Sequence, residues 1–249
     1  MKLKGNEIID LRNHKVVKHN DSIQKARYNL SVQEQKIILY LISKIKPNDT
    51  DLHLYKFSIQ EFCQVCGIDD DNGKNYADLK DAVINLRNKG FWARIGEGVQ
   101  TTVSWIDKAS ITEKSGIIEI KLDKDMKPFL LNLRNHFTMY ELYYVLAMKS
   151  KYSLRLYELL KSYEFIGKCD FDIEHLKMLL SAENYKTYKD FRVYVIDTAL
   201  REINEYTDIL IDYTAEKTEK KYTKIVFRIK PKKNPPVHSA IMKKIAAEL

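Results

Sequence analysis

Cys63-Gln64-Val65-Cys66 is the one pair of residues in the chain spaced for metal or redox chemistry. A zinc site needs a second such pair, and Cys169 stands alone, about a hundred residues further on. The pattern therefore reads as two small buried residues on one helix face. The six histidines, at 14, 19, 53, 136, 175 and 238, offer no H-E-x-x-H or H-x-H spacing, so no metal is expected. None of the eight glycines opens a phosphate loop. Gly96-Glu97-Gly98 begins like a dinucleotide fingerprint, but Thr101 occupies the third glycine's place. The run also lies between two strand-like segments, where a hairpin turn is the expectation and no cofactor is. Acidic residues abound without a spacing that singles out a general acid and base. The chain reads as a non-enzyme.

The side chains that do concentrate are cations. Lys and Arg number 42 against 34 Asp and Glu, a net charge of +8, which favours polyanionic partners and nucleic acid first. Between Tyr213 and Lys233 stand eight basic residues, Lys217, Lys220, Lys221 and Lys224 among them, against Glu216 and Glu219. Just upstream, Lys186, Lys189 and Arg192 open a helical run. Cations at a helix N-terminus suit phosphates and groove edges, and Arg192 has the fork to grip a guanine. Lysines grip phosphate without reading sequence, and a lysine-rich hairpin also protects a sheet edge from aggregation. A thinner set, Lys74, Asn75 and Lys80, precedes the earlier hairpin, so the second region is expected to bind DNA more strongly.

These residues need elements to hold them. Ser31-Val32-Gln33-Glu34 is a capping box ahead of an apolar helix that Pro47 stops. A strand over 54–59 and a short helix over 60–66 follow. The stretch DDDNGKN (69–75) reads as a turn, and 75–88 as a helix with Leu79, Ala82, Val83 and Leu86 inward. A hairpin follows over 91–106, then a strand over 117–122. The pattern returns: a second capping box at Thr138–Glu141, a helix over 152–163, a strand over 168–171, a helix from Asp172, a long helix over 188–206 with Phe191, Val195, Ile196, Ala199 and Ile203 inward, and a hairpin over 208–229. FSIQEF (57–62) and FDIEHL (171–176) mark the same point in each copy. The fold class is α+β: tandem winged-helix (helix-turn-helix) domains forming a pseudo-repeat, each with a third helix free to enter a major groove. The expected boundaries are an N-terminal arm over 1–18, a first domain over 19–122, a connection or start of the second domain over 123–136, a second, main DNA-binding domain over 137–233, and a tail over 234–249. Arg155 and Arg201 are expected to pair with Glu158 and Glu202. No apolar run is long enough to span a bilayer, and the polar start MKLKGNEIIDLRNH reads as no secretory signal, so a cytoplasmic chain is expected.

SKYSLRLYELLKSY (150–163) with YKDFRVYVIDTALREINEYTDI (188–209) resembles the second winged helix of iteron-binding plasmid replication initiators. VKHNDSIQKARYNLSVQEQKIILYLISKI (17–45) resembles the opening of their first domain. The resemblance implies monomers that bind repeated origin sites in double-stranded DNA, help open the origin, and recruit the host initiator and replicative helicase. It implies a homodimer in equilibrium with the monomer, joined mainly through the first domain, that represses its own gene. Carried over by position, it points to Lys189 and Arg192, and less firmly to Lys74, Asn75 and Lys80. Two other readings compete. A winged-helix repressor without a replication role would sit beside a lone inverted repeat rather than tandem direct repeats. A nicking endonuclease with a tyrosyl–DNA link would need a histidine pair that the spacing denies.

Overall fold

The computed structural model describes residues 14–66, 73–96, 99–112, 115–237 and 240, without the side chains of 73–76 and 94–96. The Ser31 capping box is closed: its hydroxyl accepts from the Glu34 amide at 3.2 Å, and the Glu34 carboxylate accepts from the Ser31 amide at 2.7 Å. Helix α2 (Val32–Ser43) follows and is buried from Glu34 to Ser43, preceded by β1 (Lys15–His19) and α1 (Asn20–Gln24). Strand β2 (Leu54–Ser58) alternates exposed and buried residues and feeds α3 (Ile59–Cys66), whose Glu61 amide donates to Ser58 Oγ at 2.9 Å. Helix α4 (Gly73–Asn88) buries Leu79, Ala82, Val83 and Leu86, the predicted stripe. Then come β3 (Gly90–Gly96), β4 (Val99–Ser104), β5 (Ile106–Thr112) and β6 (Ile117–Leu122). Gly90 is required where it stands, because a Cβ there would lie 2.8 Å from the Val103 carbonyl oxygen across the ribbon.

The second copy repeats this plan. Helix α5 (Lys127–Leu130), β7 (Phe137–Glu141) and α6 (Leu142–Leu146) lead into α7 (Lys151–Lys161). Strand β8 (Lys168–Asp172) feeds α8 (Ile173–Leu180), with Asp172 accepting from the Glu174 and His175 amides. This cap stands where Ser58 stands in the first copy. A helical stretch then runs through α9 (Tyr188–Phe191), a π-helical turn (Arg192–Asp197) and α10 (Thr198–Tyr206), ahead of β9 (Ile209–Thr218) and β10 (Lys221–Pro231). The sheet orders match: β2-β6-β5 in the first copy, β8-β10-β9 in the second.

That match relocates the first wing. The hairpin expected over 91–106 is β3–β4, a separate two-stranded ribbon, whereas the strands equivalent to β9–β10 are β5–β6. Three other expectations change. Thr138–Glu141 does not cap a helix; it lies in β7, antiparallel to β1, with Tyr140 buried and the Thr138 hydroxyl donating to Asn20 Oδ1 at 2.7 Å. Its strand partner is over a hundred residues away, beyond the reach of local pattern. Residues 15–18 of the expected arm form β1, with Val16 and Lys18 buried. The stretch 123–136 buries Met126, Phe129, Leu130 and Leu131 in the common core. The segment 69–72 of the predicted turn lies outside the described residues, and 73–75 open α4.

Arg155 and Glu158 also differ from the expected pair. Glu158 accepts from Lys18 Nζ and from the Tyr140 hydroxyl, each at 2.8 Å. Arg155 donates to the Ile23 and Ala26 carbonyls at 2.5 and 2.8 Å, its guanidinium 4.6 Å from the Tyr28 ring centroid. Glu202 instead accepts from the Lys149 and Ser150 amides, ahead of α7. A buried charge takes the partners that satisfy it best in space, and helical spacing is only one source of them.

Candidate nucleic-acid interface

Helix α9 starts on a local cap: Thr187 Oγ1 accepts from the Asp190 amide at 3.1 Å. Phe191, Val195, Ile196, Ala199 and Ile203 are fully buried, which fixes the opposite face outward. That face carries Lys189, Arg192, Val193, Tyr194, Asp197 and Arg201. Lys186, just ahead, is exposed and donates to the Glu183 carbonyl. Arg192 Nε lies 3.4 Å from Asp197 Oδ2 with both side chains about half exposed, a contact weak enough to leave the guanidinium available.

The wing is fastened to this helix. Tyr222 of β10 stacks on Tyr188 at 4.1 Å between ring centroids, and Lys217 Nζ lies 4.5 Å from the Tyr222 centroid. The Tyr213 hydroxyl donates to Asp197 Oδ1 at 2.8 Å. Burial and then this bond push the Tyr213 phenol well above its usual range. The hairpin reverses at Glu219 and Lys220, Glu219 adopting a positive φ, and Lys217, Lys220 and Lys221 are exposed around the tip. Helix and wing are thus joined in one unit whose exposed side chains include Lys186, Lys189, Arg192, Lys217, Lys220 and Lys221, with Asp197, Glu216 and Glu219 among them.

Three other cations of the wing are held by carboxylates or carbonyls, while Lys230 and Lys233 are exposed. Lys224 pairs with Asp170 at 3.0 Å, which raises its pKa through that hydrogen bond. Arg228 pairs with Asp212 at 2.6 Å and holds that carboxyl below its usual range. Lys232 donates to the Asn204 and Thr207 carbonyls. The raw charge count of the wing therefore overstates what a polyanion meets.

In the first domain, Lys80 is half-buried and lines a groove of about 500 Å³ between α4 and β5, together with Ile84, Arg87 and Lys108. The side chains of Lys74 and Asn75 lie outside those described. The structure brings Lys186, Lys189, Arg192, Lys217, Lys220 and Lys221 to one helix-and-wing unit, ties Lys224 to the sheet, and leaves Lys80 in a separate groove. Sequence reasoning missed the Tyr188–Tyr222 and Tyr213–Asp197 clamps, the acid within the basic face, and the π-turn. The turn left a trace, since Val193-Tyr194-Val195-Ile196 puts four apolar residues in a row on a helix with one buried face. Among the described residues no group of three His, Cys, Asp or Glu is placed to hold a metal ion, and no helix is long and apolar enough to cross a membrane.

Comparison with known proteins agrees with this architecture. Residues 15–161 match the family described as "Initiator Replication protein, WH1", and 172–229 match "Initiator Rep protein, WH2". An Escherichia coli "Uncharacterized 27.6 kDa protein" is 24% identical over 90% of this chain and 98% of its own length. An Escherichia coli "Replication initiation protein" is 23% identical over 74% of this chain and 60% of its own length. The solved structure described as "Crystal structure of Pi initiator protein in complex with iteron DNA" has a TM-score of 0.72, covering 90% of this chain and 99% of that one at 18% identity, a likeness of fold.

Proposed function

Because the chain belongs to the Initiator Replication protein family, with its two winged helices WH1 and WH2, we propose that it starts plasmid replication by binding repeated sites in double-stranded origin DNA. One observation carries this reading to the residues: the exposed Lys186, Lys189 and Arg192 with the clamped wing tip of Lys217, Lys220 and Lys221. The wing lysines lie against phosphates, and Arg192 reaches a base edge. Residues 137–233 form the stronger DNA-binding domain and 19–122 the weaker one, which uses Lys74, Asn75 and Lys80; Lys224 contributes only after leaving Asp170. Monomers bound side by side strain AT-rich duplex whose steps deform at low cost, and the host initiator and replicative helicase enter there. A homodimer represses the protein's own gene. No catalytic step belongs to this chain, and it works in the cytoplasm. The test is a mobility-shift titration against origin duplex across salt. Affinity falls steeply, with a log–log slope set by the phosphates neutralised; a flat response contradicts a cationic interface.

A further inference from the structure

A π-helical turn, Arg192–Asp197, interrupts the exposed helix of the second domain. Along Val193-Tyr194-Val195-Ile196, α-helical steps of about 100° would carry the run around most of the circumference. Instead the backbone widens at Arg192–Asp197, and the Thr198 hydroxyl donates to the Val193 carbonyl, five residues back, at 3.1 Å. Val195 and Ile196 are fully buried, while Arg192, Val193 and Tyr194 all stay outside. Val193 is 38% exposed and Tyr194 59%. Tyr194 leans to one side, its ring within 23° of parallel to Tyr185 at 6.0 Å. Three consecutive residues thus face outward, and the widened turn sets Arg192 outside directly beside the β-branched apolar side chain of Val193. Such a turn inside a helix frequently marks a functional site.

In the major groove the apolar feature of a base pair is the thymine 5-methyl group. Valine is stiff about χ1, so it meets that methyl with little entropy to lose. We propose that Val193 is a specificity-determining residue that reads a thymine through its 5-methyl group, next to the base or phosphate met by Arg192. This rests on the reading above, that the α9–α10 face enters the major groove.

The experiment uses the full chain and a duplex enriched from a random-sequence pool by binding to it. Each thymine of that duplex is replaced singly by deoxyuridine, which lacks only the methyl. One position loses about fourfold in affinity, the worth of one buried methyl group. Val193→Ala binds the thymine and uracil duplexes alike, and its circular dichroism spectrum matches the parent's, because the side chain lies outside the fully buried stripe. Uniform tolerance of uracil by the parent, or an undiminished uracil loss in Val193→Ala, overturns the role of Val193 and leaves DNA binding standing. Failure of the parent to enrich any duplex overturns both.

Discussion

Glu158 shows how much a single side chain carries here. Its carboxylate is 2% exposed and accepts from Lys18 and Tyr140, with the Tyr28 hydroxyl at 3.4 Å from its second oxygen. Removing it strands a buried ammonium. Glu158→Ala is therefore expected to lose about 3–5 kcal/mol, read as a lower urea midpoint. Leu160→Ala, fully buried on the same helix, loses about 2–5 kcal/mol and leaves DNA sequence preference untouched. The tyrosines set the alkaline limit. Burial pushes Tyr55 and Tyr152 up to about 12 from the ordinary value of 10.0. Between those values the unfolded chain has lost the proton that the folded chain keeps. Stability is thus held below pH 10 and falls as pH rises toward 12. A thermal midpoint that stayed level across that interval would contradict the burial of these phenols.

At the scale of elements, the helix-and-wing unit separates into parts that read and parts that hold. Arg192→Ala is expected to lose about 1–3 kcal/mol at one base position and relax choice there. Lys220→Ala with Lys221→Ala weakens every duplex alike and lowers the salt slope by about two. Binding titrations on enriched and random duplexes distinguish these outcomes. The sequence shows most of these elements because their signals are local. Ser31 and Glu34 write their own cap, the α4 stripe shows its inward face, and FSIQEF and FDIEHL announce the repeat. What stays hidden depends on distant partners. β7 is a strand because β1 lies beside it, and the Thr138–Glu141 pattern, read alone, imitates a cap. β5–β6 is the wing equivalent because β2 pairs with β6, which no hairpin signal reveals. Tyr213–Asp197 and Tyr188–Tyr222 join helix to wing across a turn whose geometry is set only on folding.

Across the whole molecule, the N-terminal segment does more than precede the first winged helix. β1 pairs with β7, Lys18 reaches Glu158, and Arg27 pairs with Glu183. Ser181 donates to the Tyr28 carbonyl, Gln24 to Ser162, and Arg155 clasps the carbonyls of Ile23 and Ala26. Each of these contacts spans more than a hundred residues of chain, joining residues 15–28 to α7, α8 and their neighbours. Two modules sewn together by buried, charge-assisted bonds melt together, because neither unfolds without breaking bonds and exposing core that the other shares. The chain is therefore expected to unfold in one transition, with calorimetric and van't Hoff enthalpies equal. Arg155→Ala leaves two buried carbonyls without their donor, at about 1–3 kcal/mol each. In that variant the midpoint drops and the calorimetric enthalpy exceeds the van't Hoff value, as the modules begin to melt apart. Two resolved peaks in the parent, or an unchanged enthalpy ratio in the variant, would show that the seam does not couple them.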